Sequence, residues 1–175
     1  MRYLKATAQD RSGNGKADAV LLHFHNSPDN LVHEAFAVDM SADGRIEFGF
    51  AGDINSDGEQ NFQDQLLLTA FAEVFLQLNW FNKGDNWERY LKISAKDHHK
   101  DGSPNVVSLQ FSEDDGTPGI PIRIKGAAAY DGDNDGGLDS FTNSDVNSDG
   151  IANTADKMLL RAIAQSFLAF RWFEA

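Results

Sequence analysis

The chain has 175 residues, 41% of them apolar, enough for one medium domain or two small ones with a real core. Its 27 acidic and 15 basic residues leave a net charge of −12, which repels nucleic acid and other polyanions. It has no cysteine, so disulfides, thiolate zinc sites and thiol redox chemistry are excluded, and no apolar run approaches the roughly 20 residues that would span a bilayer.

The chain opens on strand periodicity: Leu4, Ala6 and Ala8 alternate with Tyr3, Lys5 and Thr7. No signal peptide precedes this stretch, so the chain reads as a mature segment or an excised domain with an added methionine. A second strand turns Val20, Leu22 and Phe24 inward. A third precedes Asp39, and a short fourth follows at Ile46 to Phe50. His23 and His25 alternate with the inward residues and are expected on a solvated face.

After the fourth strand comes an acidic loop, "GDINSDGEQNFQD", residues 52 to 64, running into an apolar stretch expected to be helical over 61–81. Leu66, Leu67, Leu68, Phe71, Val74, Phe75 and Leu78 make that helix apolar on more than one face, which predicts cover from two sides.

The plan then recurs. "RYLKATAQD" at 2–10 returns as "RYLKISAKD" at 89–97, and "AVLLHF" at 19–24 as "VVSLQF" at 106–111. The offset is 87 in this part and 92 from Asp39 onward, implying an insertion near 113–121. A second acidic loop and a second helix, expected over 153–173, close the chain. The expected fold class is therefore α+β and internally duplicated. Residues 1–84 and 85–175 would each supply a few antiparallel strands, a calcium loop and one long helix, packed as a pseudo-twofold single domain.

On a twelve-position calcium loop, Asp53, Asn55, Asp57, Gly58 and Asp64 take positions 1, 3, 5, 6 and 12, with Glu59 offering its carbonyl from position 7 and Asn61 at position 9. The second loop repeats this with Asp145, Asn147, Asp149, Gly150, Ile151, Asn153 and Asp156. Alternate residues of a tight turn aim oxygens at one centre, and glycine permits the reversal. The competing explanation is an acidic turn that merely caps a helix N-terminus. Weaker versions precede each loop. Asp131, Asp133, Asp135, Gly136 and Asp139 fill positions 1, 3, 5, 6 and 9, with Thr142 at 12. Asp39, Ser41, Asp43, Gly44 and Glu47 do the same in the first half, where a plain hairpin turn is an equal reading. A third series, Asp10 to Asp18 and Asp97 to Asn105, carries fewer charges; His99 makes the latter a poor site for a hard cation.

The D-x-N-x-D-G-x5-D spacing, with Gly52 before the first Asp and "LL" soon after the last, resembles the loop–helix calcium motif of dockerin domains, which are related to EF-hands. The resemblance covers about 53–75 and 145–167. It implies Ca²⁺ at two sites, and up to four if the weaker loops fill. It also implies a possible protein partner. Dockerins meet cohesins through small hydroxyl residues at loop positions 10 and 11, whereas this chain has Phe62, Gln63, Thr154 and Ala155 there.

No triad, activated nucleophile or metal-bound histidine set stands out, so the expectation is a non-catalytic, calcium-binding structural module of a secreted or cell-surface protein. A protein partner or flanking domains of a larger surface protein are left open, and neither nucleic acid nor membrane insertion is expected. Alternatives are a dockerin-like docking module, or a carbohydrate-binding module using Trp87. Trp80 and Trp172 read as core.

Overall fold

The structure, a computed structural model, describes residues 1–82, 88–114 and 122–174, apart from the side chains of residues 88, 122 and 123. Trp87 and most of the inserted segment, 115–121, lie outside the described residues. The strands are β1 (Tyr3–Gln9), β2 (Ala19–Ser27), β3 (Asn30–Val38), β4 (Phe48–Phe50), β5 (Glu88–Lys96), β6 (Val106–Asp114), β7 (Ile122–Tyr130) and β8 (Ser140–Phe141). The helices are α1 (Phe62–Leu76), between β4 and β5, and α2 (Thr154–Leu168), after β8.

All eight strands form one antiparallel sheet in the order β4-β3-β2-β1-β5-β6-β7-β8. β1 and β5 join the two parts of the chain edge to edge, with Leu4 opposite Ile93, Lys5 opposite Lys92 and Ala6 opposite Leu91. Alternation decides the faces: Leu4, Ala6, Val20, Leu22 and Phe24 point inward with Leu91, Ile93, Val107, Leu109 and Phe111. On β3 and β7 the inward residues are the alanines Ala35, Ala37, Ala127 and Ala129, which let the helices lie close.

The expected α+β fold of two strand–loop–long-helix copies is overturned. The chain is β-rich: one continuous eight-stranded sheet dominates, and each helix has 15 residues instead of spanning 61–81 or 153–173. The helices stop early because the chain turns left-handed at Asn79 (φ 59°) and Arg171 (φ 56°). Leu78, Trp80 and Phe81, and Phe170 and Trp172, then enter the core from an irregular turn. Apolar spacing alone does not distinguish such a turn from another helical turn. The helices bury Leu68, Phe71, Ala72 and Phe75, and Leu160, Ile163, Ala164 and Phe167, while Leu66 points to solvent. Phe170 links both parts of the core, its ring centroid 5.6 Å from that of Phe24 and 5.2 Å from that of Phe71.

His25 corrects a second expectation. It stands directly opposite Tyr3 in the regular β1–β2 register, and the two rings stack with centroids 4.8 Å apart and planes nearly parallel; its ring nitrogens are buried with no hydrogen-bond partner among the described residues. His23 stays partly open and meets Glu34 at 3.2 Å.

Candidate cation-binding loops

Six loops share one backbone frame. Residues 10–18 join β1 to β2, 39–47 join β3 to β4, and 53–64 lead into α1. Residues 97–105 join β5 to β6, 131–139 join β7 to β8, and 145–156 lead into α2. In each, the carboxylate of the first Asp accepts the N–H of the glycine five residues on: Asp10 from Gly15, Asp39 from Gly44, Asp53 from Gly58, Asp97 from Gly102, Asp131 from Gly136 and Asp145 from Gly150, at 2.7–2.9 Å. Those six glycines have φ between 86° and 92°, a region that disfavours any side chain.

Position 5 is equally regular. Asp43, Asp57, Asp135 and Asp149 each accept the N–H two residues ahead, at 2.8–2.9 Å. For Asp57 and Asp149 the donors are Glu59 and Ile151, the residues expected to offer carbonyls at position 7. The N–H of Arg45 is the main reason the Asp43 carboxyl sits below the usual range.

The closing acids draw the loop starts inward. Glu47 accepts the Met40 N–H and the Ser41 hydroxyl, both at 2.6 Å, and Asp139 accepts the Gly132 N–H at 3.2 Å. Asp64 accepts from Ile54 and Asn61 at 2.9 Å, and Asp156 from Val146, Asn147 and Asn153 at 2.8–3.0 Å. Asp64 and Asp156 are also the third residues of their helices, completing capping boxes with Asn61 and Asn153. Capping and the loop frame therefore use the same carboxylates. Each ionised carboxylate has about four acceptor sites, so these bonds leave capacity for a cation. Burial raises the Asp156 carboxyl, but the backbone N–H groups of Asn147, Asn153 and Val146, helped by Lys125, outweigh it and hold it low.

Carboxylate oxygens from three residues converge within 4.8 Å in three places: Asp39 with Asp43 and Glu47, Asp131 with Asp133 and Asp139, and Asp145 with Asp149 and Asp156. Among the described residues, loop 53–64 forms no such group. There the Asn55 side-chain NH₂ donates to Asp57 at 3.1 Å, placing a donor in front of the carboxylate. In both loops the position-3 side-chain oxygen accepts the position-5 N–H, Asn55 from Asp57 and Asn147 from Asp149, each at 3.1 Å; only Asn55 adds the NH₂ bond. Asp135 faces Gly137 and Asp133 takes its place in the cluster. Desolvation and the charges of Asp135 and Asp139 push the Asp133 carboxyl above its ordinary value. Thr142 accepts the Ala128 N–H at 3.0 Å, so loop 131–139 closes at position 9.

Neighbouring loops are tied together. The Asp39 N–H donates to the Asp18 carbonyl at 2.7 Å, and the Asp131 N–H to the Asn105 carbonyl at 2.8 Å. Asn105 also donates to the Asn134 side chain, which donates to Asp101 at 2.6 Å. Since β1 and β5 run antiparallel, the two pairs sit at opposite ends of the sheet.

Sequence reading missed Lys125. From β7 its ammonium reaches the Asp145 carbonyl at 2.7 Å and the Ser148 hydroxyl at 3.1 Å, while lying over Trp80 and Phe111. Burial lowers its pKa, opposed by Asp145 and Asp156. No local signal marks it, because it joins the loop only through the fold.

Three anionic oxygens within 4.8 Å repel one another unless a cation or protons intervene. The donors are all hard oxygens, which suit Ca²⁺ or Mg²⁺ and not a thiolate- or imidazole-preferring metal. No protein family matches the chain, and no curated protein or solved structure matches it either.

Proposed function

We propose that this chain is a non-catalytic calcium-binding module of a secreted or cell-surface protein, its loops tightened by Ca²⁺. One observation carries the reading: three loops built on a common frame each bring three carboxylates within 4.8 Å. The dockerin-like spacing at 53–64 and 145–156 supports the same ion. Three divalent cations would bring six positive charges against a net charge of −12, relieving repulsion concentrated at the loops. Extracellular calcium modules bind at about 10⁻⁴–10⁻³ M, weak enough to need a calcium-rich medium. Binding to the folded chain alone adds about 2.7 kcal/mol per site at a hundredfold excess of ion over its dissociation constant.

The test is calorimetric melting of metal-stripped protein with chelator, Mg²⁺ or Ca²⁺, alongside equilibrium dialysis. Ca²⁺ should raise the melting temperature by several degrees, and dialysis should find more than one ion bound. An unchanged melt with no retained calcium refutes the reading.

A second reading, a docking module, draws support from exposed apolar residues beside the two helix-leading loops: Phe62 and Leu66 on α1, Ile151 and Met158 at α2. Partner binding lost in chelator and in Phe62→Ser would favour it; calcium-independent binding would not.

A further inference from the structure

The helices cover one face of the sheet, and no described element covers the other. On that open face, β2, β3 and β4 align Leu21 with Phe36 and Phe36 with Phe50, and Val38 with Phe48. Leu21, Phe36, Phe48 and Phe50 are 39%, 41%, 50% and 52% exposed.

The fold does not require this patch. The matching positions in the other half are Ser108, Ala128, Ser140 and Thr142, which occupy the same ladder around β6, β7 and β8. The inversion is sharpest on β4, where Gly49 points inward between two outward phenylalanines, while its match, Phe141, packs against the core between Ser140 and Thr142. A Cβ on Gly49 would lie 2.5 Å from the Phe36 carbonyl oxygen and 3.2 Å from Leu68. An edge strand that is small inside and aromatic outside contradicts the pattern of a sheet made only to cover its own core.

Size and charge select the occupant. Four side chains about half exposed, of the 150–250 Å² that large aromatics can bury, offer on the order of 300–400 Å². That is under half of the roughly 800 Å² per partner in a stable dimer. Beside the patch lies a groove of about 180 Å³, lined by Thr7, Gln9, Arg11, Leu21, Phe36 and Val38. This is room for one side chain and below the size of a drug-like site. The Arg11 guanidinium at its edge has no ion-pair partner among the described residues.

We propose that this face docks an extended protein segment, which seats an apolar side chain on Leu21, Phe36 and Val38 and sets a carboxylate against Arg11. The proposal is independent of cation binding.

The test is amide-resolved NMR titration with a synthetic peptide of alternating leucine and threonine carrying two glutamates at one end. The same peptide with lysines for the glutamates, and a cello-oligosaccharide, serve as comparisons. The acidic peptide should shift β2–β4 amides. Combined F36A, F48S and F50T, residues the matching positions already carry, should weaken it about tenfold without changing the melt. Arg11→Gln should abolish the preference for the acidic peptide. Equal binding of both peptides, no shift on this face, binding of the saccharide alone, or a wild-type dimer that the triple variant dissolves would each overturn the proposal.

Discussion

Asp156→Ala separates the two uses of a closing carboxylate. Asp156 is buried and accepts three backbone N–H groups, from Val146 at 2.8 Å, Asn147 at 3.0 Å and Asn153 at 2.9 Å. Hydrogen bonds to a charged group contribute about 1.5–3 kcal/mol each, and they do not add when they share an acceptor. The Asn147 and Asn153 donors border solvent and can recover water, whereas the Val146 donor is buried. In chelator the variant should therefore lose about 2–4 kcal/mol, or several degrees of melting temperature at about 2–4 °C per kcal/mol for a domain of this size. In calcium the loss should grow by up to about 2.7 kcal/mol at a hundredfold excess of ion, because the variant also loses the ligand that closes the site. Urea unfolding of both proteins, with and without calcium, measures both quantities. An equal loss in the two conditions would reduce Asp156 to a helix cap and remove loop 145–156 from the cation sites. A loss under about 0.5 kcal/mol would mean the three hydrogen bonds contribute nothing net.

The remaining predictions probe other parts of the molecule. Burial, then the charges of His23 and Lys5, lower the folded pKa of His25 below 6.5. Between that folded value and 6.5 the unfolded chain binds more protons, so stability should fall as pH drops through this window. In His25→Phe, which keeps the stack on Tyr3, the slope of the urea midpoint in that window should vanish; an unchanged slope refutes the assignment. Lys125→Met should destabilise the chelated protein by about 1–3 kcal/mol through the lost bond to the Asp145 carbonyl, and by less in calcium, where the ammonium and an ion beside Asp145 and Asp156 would repel each other; a larger deficit in calcium would contradict this. Gly49→Ala should lose about 1–3 kcal/mol by overpacking against backbone. Gly58→Ala, whose Cβ meets nothing, should lose about 1–2 kcal/mol from its φ of 92° alone. Thermal melts of both variants check the pair.

Legibility followed the range of the interactions. The loop at 131–139 could be read because its first Asp and its glycine are five residues apart and bond to each other. The helix starts at Asn61 and Asn153 could be read for the same reason: the cap and its reciprocal acid lie three residues apart. The helix ends could not, since Leu78 and Trp80 continue the apolar spacing into a turn held by the core. Which carboxylates converge was also hidden. Loop 53–64 has the fuller motif but forms no three-carboxylate group among the described residues, while 39–47, which equally reads as a hairpin turn, forms one through the longer reach of Glu47.

By itself the sequence determined six tight acidic turns, the strand faces and the two helix caps, because each closes hydrogen bonds or alternates side chains within about a dozen residues. Only the tertiary structure decided that β1 and β5 merge the strands into one sheet, that Lys125 reaches the Asp145 carbonyl, and that Leu21, Phe36, Phe48 and Phe50 gather on a face that no described element covers. Those outcomes depend on contacts between residues far apart in the chain. Their energies come from burying shared surface, which no local spacing encodes.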